Sequence, residues 1–474
     1  MYRGLYTMEN KYSALAADVD ALFGVASNAN EINKSFVTGP NEIVTEGATG
    51  GQVFRRQSLA ADVKNLTFGN QDFTIYTIIP RKRANSVVEE YVIQDGYGEY
   101  GTSRAVAEID IASVNNASIQ RKIVRMKNLS DVRQVSLLSM QVENIQEPLD
   151  FELNNAIMTV AKTIEYELFY GDADLTAGQE GSGLEFDGLS KLIPAENVID
   201  LRGATLTEQD LNKAAVKISQ GGFGTPTDAF LEVGAHANFV NNQLSRQWVT
   251  QGSASDLAAG FTVPKFVSAR GQIALHGSTI MNKDRTLDLS VRPNPSAPAA
   301  PKVTAAVATG AGKFFDDDKK APLSYAVVLA SKAGKSAPAQ ATVALDDVTK
   351  EVTLTIDLGM QVIGDPTHAE VFRFDAKSGQ YSLIGRVPFS KATYTNGSFT
   401  MTFVDKNDVV AGTSVAFVGE LTDRTIGLYE LMPMFKMDLA RVSAAETFAV
   451  MWSGALGLFA PKRWVKLVNV GSDL

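Results

Sequence analysis

The chain has 474 residues, of which 45% are hydrophobic and 20% charged, and this balance predicts a folded protein of about three domains. Its net charge of −9 argues against general binding to nucleic acid, because such binding depends on an excess of lysine and arginine. The absence of cysteine excludes disulfides, thiol nucleophiles and thiolate metal sites, and it is typical of a protein that matures in a reducing cytoplasm.

The sequence has the pattern of neither a secretion signal nor a membrane span. Its first 24 residues lack an apolar block followed by a cleavage site, so we expect no export signal. The longest uncharged apolar stretch, "FAVMWSGALGLFA" at 448–460, is shorter than the roughly 20 residues that a spanning helix needs. We predict that it forms a pair of buried strands, and we expect no membrane partner.

The first part of the chain predicts an arm followed by an extended β loop. Residues 8–36 carry a weak amphipathic helical pattern, which glycine and proline then interrupt, so we predict that 1–72 form an N-terminal arm without a core of its own. Strand-like segments begin at Phe73 with "FTIYTIIP" and continue with "SVVEEYVIQ" and "RAVAEIDI", where apolar and polar residues alternate. We therefore predict an extended β loop at 73–125.

Within this loop, "GYGEYG" at 96–101 matches the glycine pattern of dinucleotide-binding proteins. The phosphate-binding form of the motif needs a helix that begins at its last glycine, because the amides at the start of that helix hold the pyrophosphate. A strand-like alternation follows here instead. The glycines are therefore predicted to permit positive φ in a connection between two strands, with no cofactor.

Terminal signals predict a long helix in the middle of the chain. Pro148 suits the first helical position and Gly171 suits the stop, which places the helix at about 148–170. An apolar stripe at helical spacing lies between them and predicts one buried face. Its members are Leu149, Leu153, Ile157, Val160, Ile164 and Leu168.

Two further helices are predicted after the long one. Thr207 and Asp210 form a capping-box pattern at the start of the first, and the glycines at 221–222 suit its end. A second apolar stripe predicts a helix at about 235–248. This part of the chain is mixed α and β.

A strand-only segment interrupts the mixed part of the chain. It begins at 293 with the proline-rich "PNPSAPAAPKV", and short strands separated by turn residues follow at regular spacing. The segment is predicted to be a β-sandwich that ends near 420. Because the mixed pattern resumes afterwards, the sandwich is predicted to be an inserted domain of an α+β protein.

A search for catalytic and metal-binding patterns finds none that is complete. The three histidines, His236, His276 and His368, are far apart in sequence, and we interpret them as structural. "GKS" at 334–336 lacks the upstream glycine of a phosphate loop and predicts a hairpin turn. "DDDKK" at 316–320 lacks the ligand spacing of a calcium loop and predicts a solvated loop. We expect no enzymatic activity, metal or cofactor.

Charged residues around the three glycines are the candidate binding residues. A solvated two-sided hairpin would carry such charges merely to stay in water. A long two-stranded ribbon is marginally stable alone, however, and a second copy of the chain is the simplest support for it. We predict contact between subunits through Arg81, Lys82, Arg83, Glu89, Glu90, Arg104, Glu108 and Asp110.

The order of these segments resembles the major capsid proteins of tailed bacteriophages, which have the Hong Kong 97-type fold. The resemblance rests on "FTIYTIIPRKRANSVVEEYVIQDGYG", "LLSMQVENIQEPLDFELNNAIMTVAKTIEYELFYGD", "EFDGLSKLI" and "AETFAVMWSGALGLFAPKRWVKLVNV". It implies an α+β fold in which the extended loop reaches over a neighbouring subunit. The strand-only segment is similar to the immunoglobulin-like or fibronectin type III modules of many phage capsids.

The resemblance also implies a division of the chain. The parts are the N-terminal arm (1–72), the extended β loop (73–125), a peripheral domain with the spine helix (126–190 and 421–474), an axial domain (191–292) and the inserted sandwich (293–420). The implied function is a structural one: hexamers and pentamers of this chain would form an icosahedral head around double-stranded DNA that is enclosed without specific binding. The resemblance also implies scaffold, portal and decoration proteins as further partners. It places this chain in the host cytoplasm during assembly and afterwards in the capsid of the virion. The alternatives are a surface adhesin that uses the sandwich and the shell of a nanocompartment.

Overall fold

The structure is a computed structural model. It describes residues 73–96, 98, 107–109, 116–142, 147–175, 183–244, 263–282, 285–289, 294–360, 364–395, 397–441 and 443–472. The predicted N-terminal arm lies outside these residues.

The described residues contain more strand than helix. The α-helices are α1 (Ile75–Ile78), α2 (Leu137–Gln141), α3 (Pro148–Tyr170), α4 (Leu189–Leu192), α5 (Glu208–Gly222) and α6 (Val233–Leu244). The strands before the strand-only segment are β1 (Arg81–Arg83), β2 (Val88–Gly96), β3 (Ser118–Arg125), β4 (Lys127–Ser136), β5 (Val198–Asp200), β6 (Asp228–Glu232), β7 (Lys265–Ser268), β8 (Gly271–Ser278) and β9 (Thr286–Leu287). The later strands are β10 (Lys302–Ala308), β11 (Leu323–Ser331), β12 (Gly334–Lys335), β13 (Ala339–Val343), β14 (Glu351–Asp357), β15 (His368–Asp375), β16 (Gln380–Pro388), β17 (Thr393–Thr395), β18 (Ser398–Asp405), β19 (Ser414–Gly419), β20 (Ile426–Asp438), β21 (Ala445–Leu458) and β22 (Trp464–Val470). The α+β class is confirmed.

The long helix α3 has the predicted bounds and packs on a four-stranded sheet. Pro148 is its first residue and Gly171 follows its last, as the end signals predict. The sheet has the order β1-β20-β21-β4, in which β1 runs parallel to β20 and the other pairs are antiparallel. Val160 and Ile164 of α3 share one apolar core with Trp452 of β21. The predicted stripe is wrong at Ile157, which is 37% exposed.

A six-stranded sheet of the order β5-β22-β19-β6-β8-β7 lies between two apolar cores. Successive residues of β19 point to opposite faces, as the period of a strand requires. Phe417 joins the core beneath α3, whereas Ala416 and Val418 join a second core with α5 and α6. The sheet is mixed, because β5 pairs with β22 and β6 pairs with β8 in parallel.

Helix α5 begins and ends where the sequence predicts. Thr207 and Asp210 form the capping box, with 2.6 Å between Thr207 Oγ1 and Asp210 Oδ2. The helix runs through Gly222, and the left-handed residue that ends it is Phe223, with φ of 51°. Helix α6 covers the start of the third predicted helix, and residues 245–248 of that prediction lie outside the described part of the chain.

The strand-only segment forms two sheets that share one core. The sheets have the orders β10-β14-β18-β17 and β12-β11-β15-β16-β9, with β13 paired to β11 as well. Val352 and Leu354 of β14 meet Val327 of β11 in the core between them, so the strand predictions for this segment are confirmed. A buried ion pair joins the sheets, with 2.7 Å between Arg373 Nη1 on β15 and Asp405 Oδ2 on β18.

Two strands lie in a different sheet from the one that the predicted division suggests. The residues of β19 fall within the predicted sandwich, and those of β22 fall within the predicted peripheral domain. Both strands lie instead in the six-stranded sheet, next to strands of the predicted axial domain. At the other boundary, β9 precedes residue 293 and yet pairs with β16.

Several local predictions are wrong in type. The "FTIYTIIP" segment contains the short helix α1 instead of a strand, and Glu108 lies in a turn within the predicted "RAVAEIDI" strand. The apolar stretch at 448–460 lies mainly in the single strand β21 instead of a strand pair. Gly454 stands inside this strand because a Cβ there would be 2.4 Å from the Tyr429 carbonyl oxygen.

The predictions for Gly98, "GKS" and "DDDKK" agree better with the structure. Gly98 follows β2 and has φ of 85°, as predicted, but β2 pairs with β3 and not with the predicted "RAVAEIDI" strand. "GKS" lies at the β11–β12 hairpin, where Gly334 has φ of 125°. "DDDKK" forms an exposed 3₁₀ turn over Asp316–Lys319. Among the described helices, none is long and apolar enough to cross a membrane.

Candidate subunit interface

Strands β2 and β3 form a two-stranded ribbon with two unlike faces. They pair antiparallel from Val88 opposite Arg125 to Gly96 opposite Ser118. Directly opposed residues of an antiparallel pair lie on the same face, and neighbours along a strand lie on opposite faces. The register therefore assigns Tyr91 and Val124 to one face, and Val92 and Ile123 to the other.

The inner face of the ribbon packs on the rest of the chain. The Tyr91 ring stands edge-on to Phe459, with 4.9 Å between the ring centroids, and its hydroxyl donates to the Leu458 carbonyl oxygen at 3.1 Å. Burial raises the pKa of Tyr91 to about 12, and Tyr429 acts in the same direction. Val124 is buried in the core beneath α3. The part of this face around Tyr91 and Val124 is thus occupied within the chain.

The outer face of the ribbon carries apolar side chains that nothing in the described chain covers. The exposed fractions are 43% for Val88, 64% for Val92, 65% for Ile119 and 57% for Ile123. An exposed ion pair lies among them, with 3.0 Å between Arg121 Nη1 and Glu90 Oε2. We call these six residues the outer ribbon face. Four clustered β-branched residues in water are characteristic of a contact surface.

The base of the ribbon is held on α3 by a buried carboxylate. Glu165 Oε1 accepts from the Thr74 amide at 3.0 Å, the Thr74 hydroxyl at 2.6 Å and the Ile75 amide at 3.1 Å. Its Oε2 accepts from the Tyr76 amide at 2.7 Å. Burial raises the pKa of Glu165, and these hydrogen bonds oppose the rise.

Backbone pairing anchors the base a second time. Strand β1 adds in parallel to β20, and the Ala84 amide donates to the Glu430 carbonyl oxygen at 2.9 Å. The Met126 amide donates to the Val87 carbonyl oxygen at 2.8 Å, which closes the start of the ribbon. The base therefore has a defined position on the four-stranded sheet.

The predicted basic residues lie at this base and not on the outer ribbon face. Arg81 Nη1 is 3.4 Å from Glu430 Oε1, and its guanidinium lies 4.7 Å from the centroid of the Tyr76 ring. The Lys82 ammonium lies 4.0 Å from the centroid of the Phe459 ring. Arg83 is exposed. Two of the three cations thus have partners within the chain, and contact with another subunit stays a prediction for all three.

The predicted acidic residues are divided between local and exposed roles. Glu89 Oε1 accepts from the Asn85 amide at 2.6 Å and the Ser86 amide at 3.1 Å, so this carboxylate stabilises the turn before β2. Glu90 belongs to the outer ribbon face, and Glu108 is exposed in its turn. Arg104 and Asp110 lie outside the described residues. Among the members of this set that the structure describes, only Glu90 lies on the outer ribbon face.

The four apolar members of the outer ribbon face were not predicted from the sequence. Val88 and Val92 are four residues apart on one strand, and Ile119 and Ile123 are four apart on the other. Even spacing places each pair on one face of its strand. This signal was present, but only the register shows that the two pairs share a face.

A second open apolar surface lies on the four-stranded sheet, opposite α3. Met437 of β20 stands across Ala449 of β21 from Val132 of β4, so the three side chains share one face. Met437 and Val132 are exposed, as is Phe435 on the same strand as Met437. We call Val132, Phe435 and Met437 the open sheet face.

The described residues do not bring together the ligands of a metal ion. They contain no group of three or more histidine, aspartate or glutamate side chains that could hold a metal ion. His276 Nε2 is 2.8 Å from Asp228 Oδ1, in strands β8 and β6 that pair with each other. This pair is structural in its setting, since it lies within a sheet.

Comparison with known proteins gives matches over most of the chain. A family model described as SU10 major capsid protein matches residues 43–291. The major capsid proteins of Staphylococcus phage K and Staphylococcus phage S25-3 are each 42% identical to this chain over 447 residues, which covers 93% of this chain and 95% of theirs. Among solved structures, the capsid of a native GTA particle aligns with a TM-score of 0.46 at 7% identity, covering 90% of this chain and 99% of that one. A structure from Mycobacterium phage Ogopogo aligns with a TM-score of 0.46 at 9% identity, over the same shares.

Proposed function

The chain belongs to the phage major capsid proteins, and from this premise we propose that it builds an icosahedral phage head by associating with copies of itself. Its place is the capsid of the virion. The family decides against the nanocompartment and adhesin alternatives. The role is structural: the work of the chain is association, and no reaction is part of the proposal.

The observation that carries the proposal is the outer ribbon face. A two-stranded ribbon has no second layer, so one of its faces must stay in water unless another molecule covers it. Half-exposed valine and isoleucine side chains each stabilise a complex by about 1 kcal/mol when they are buried, at about 25 cal/mol per Å². The four side chains surround one ion pair. A single contact of this size between two subunits is weak, but the shell is stable because every subunit repeats it.

The proposed partner of the outer ribbon face is the open sheet face of the next subunit. Rings of identical subunits require two different, complementary surfaces on each copy. The open sheet face is apolar and exposed, and it lies on a different sheet from the ribbon, so both surfaces can be used at once. Hexamers and pentamers would arise from the same contact repeated around different axes.

The remaining partners follow from the family and the charge of the chain. We propose scaffold, portal and decoration proteins as partners during assembly. The enclosed double-stranded DNA would be held without specific binding, because a net charge of −9 disfavours contact with phosphates. Arg81, Lys82, Arg83, Glu89, Arg104, Glu108 and Asp110 remain proposed contact residues.

We propose a division of the chain that differs from the one implied by the sequence. The four-stranded sheet with α3 would form the peripheral domain, and the six-stranded sheet with α5 and α6 would form the axial domain. The sandwich would end before Ser414, because β19 lies in the six-stranded sheet. An immunoglobulin-like or fibronectin-like origin of the sandwich remains part of this proposal.

The test places charges on the outer ribbon face. The double substitution Val92→Asp with Ile123→Asp should leave the subunit folded by circular dichroism and prevent shells from forming, as seen by negative-stain microscopy and sedimentation. The control is Val404→Asp, which changes an exposed valine of the sandwich and should leave shell formation intact. Shells of normal yield and size from the double variant would overturn the proposed contact.

A further inference from the structure

A cavity of about 330 Å³ lies where three parts of the chain meet. Its wall includes Tyr166 and Tyr170 at the end of α3, Arg386 of β16 in the sandwich, and Lys466 of β22 in the six-stranded sheet. Arg285, just before β9, completes the set of basic residues on the wall. The outer ribbon face and the open sheet face contribute no residue to it.

The three basic residues on the wall differ in their partners. Arg386 is neutralised in part, because its Nε is 3.7 Å from Glu370 Oε1 and its guanidinium donates to the Tyr166 hydroxyl. Lys466 Nζ donates to the Ser190 hydroxyl at 2.7 Å. Neither Lys466 nor Arg285 has a carboxylate within ion-pair distance among the described residues. Two of the three cations on the wall therefore have no ion-pair partner among the described residues.

The electrostatic effect of this arrangement is visible at Lys466. Burial lowers its pKa to about 8, and the positive charge of Arg285 acts in the same direction. The carboxylate on the wall, Asp172, is paired with Lys191 at 2.6 Å and forms no ion pair with Lys466 or Arg285. The cavity thus has an excess of positive charge in a chain whose net charge is negative.

Hydrogen-bond donors on the wall are also without acceptors. Arg285 Nη1 and the Tyr170 hydroxyl are buried and make no hydrogen bond of normal geometry with a described residue, although the nearby charge of Arg285 opposes the rise that burial causes in the pKa of Tyr170. Buried polar groups in proteins are nearly always hydrogen-bonded, and each one that is not has a cost or a missing partner. The cations favour an anion in the cavity, and the donors favour a molecule with several acceptor oxygens. The partner that fits both is an oxyanion.

We propose that this cavity binds a small oxyanion of the phosphate class, held by Lys466 and Arg285, with the Tyr170 hydroxyl as a further donor. Phosphate offers several acceptor oxygens and charge, which match an ammonium, a guanidinium and a hydroxyl. Free inorganic phosphate and the phosphate of a nucleotide share this chemistry. Because the walls come from α3, the sandwich and the six-stranded sheet, a bound anion would fasten the sandwich to the rest of the chain.

The test measures thermal unfolding of the full chain in phosphate and in chloride at equal ionic strength. Phosphate should raise Tm by about 2 °C or more, and calorimetry should show binding. Lys466→Met and Arg285→Met should each weaken binding by about tenfold or more, because each removes a charge-assisted hydrogen bond. The control Lys462→Met changes an exposed lysine near the start of β22 and should keep the full response.

One further result separates an anion site from a merely structural cluster. In chloride, Lys466→Met should have a higher Tm than the parent, because the substitution removes one of two like charges. If Arg285→Met does not fold, the Lys466→Met variant and calorimetry on the parent protein still test whether the cavity binds phosphate. The same measurement with AMP distinguishes free phosphate from the phosphate of a nucleotide. A rise in Tm with AMP but not with inorganic phosphate would assign the site to a nucleotide. Equal Tm in phosphate, AMP and chloride, or a response that survives both substitutions, would overturn the proposal.

Discussion

The ribbon and the sandwich are both built from strands alone, but they bury their side chains in different ways. The sandwich closes one sheet on another, and residues of β11 and β14 fill the space between them. The ribbon has one sheet of two strands, so only its inner face has a layer to pack against. The comparison shows that strand content alone does not decide whether a region can bury its apolar side chains within one chain. The number of layers does.

The same contrast holds for charges. In the sandwich, Arg373 and Asp405 are 5% and 4% exposed and form an ion pair that joins two sheets. On the ribbon, Glu90 and Arg121 form an ion pair that water surrounds. A buried pair is costly to break because it leaves a charge without water, whereas an exposed pair contributes little. We therefore expect substitutions in the sandwich to affect folding and substitutions on the outer ribbon face to affect association.

The largest expected effect concerns where the sandwich ends. Replacing residues 302–408 by a short glycine–serine linker should leave a folded subunit, because the other sheets and their cores remain. Replacing 295–418 should abolish folding, since it removes β19 from between β22 and β6. Circular dichroism and size-exclusion chromatography of both deletions provide the measurement. Two equally folded deletions would contradict the assignment of β19 to the six-stranded sheet.

The second prediction removes one half of the buried ion pair. Asp405→Ala should lower the free energy of unfolding by about 3–5 kcal/mol, because Arg373 would stay buried without a partner. The Tyr325 hydroxyl, 3.0 Å from the same carboxylate, would lose its partner too. Urea denaturation measures the change. The control Asp408→Ala breaks the exposed pair with Lys313 and should cost less than about 1 kcal/mol. Similar losses of unfolding free energy in the two variants would contradict the distinction between the buried and the exposed ion pair.

The smallest effects compare neighbours on the two faces of the ribbon. Tyr91→Ser should lower the free energy of unfolding of the unassembled subunit by about 2–4 kcal/mol, because the ring and its hydrogen bond are lost from a packed face. Val92→Ser should change it by no more than about 0.5 kcal/mol, yet slow shell formation. Denaturation and light scattering on the same preparations separate the two effects. A large loss of stability from Val92→Ser would mean that the outer ribbon face is covered within the chain.

Local signals in the sequence predicted elements well where the end residues decide the outcome. Pro148 and Gly171 delimit α3 because a proline fits only the first turn and the chain turns away at the glycine. The capping box predicted the start of α5 for a similar reason. Short apolar runs were less informative: "FTIYTIIP" has too few residues for a period to distinguish a helical turn from a strand. A pair of strands was expected within the apolar stretch at 448–460, but Gly454 makes room for the neighbouring strand and lies inside the single strand β21.

The contacts between distant segments could not be predicted from periodicity. Placing β19 and β22 beside β6 and β5 requires pairing between parts of the chain that no local pattern connects. The outer ribbon face depends on the register of β2 and β3, which fixes whether Val92 and Ile123 share a face. The charges of Arg81 and Lys82 were visible, but their partners Glu430 and Phe459 come from the far end of the chain. The anion cavity joins three such segments and left no signal in the sequence.

The parallel pairing of β1 with β20 has a consequence for the order of events in the cell. The strand that anchors the ribbon is joined to residues that the ribosome adds only after the long helix, the sandwich and five of the six strands of the six-stranded sheet have been made. Contacts so distant along the chain form late in folding. A growing polypeptide therefore cannot present an anchored ribbon, and its apolar outer side is not offered to other nascent chains in the final geometry. Translation itself would delay the first encounter between subunits until each one is nearly whole.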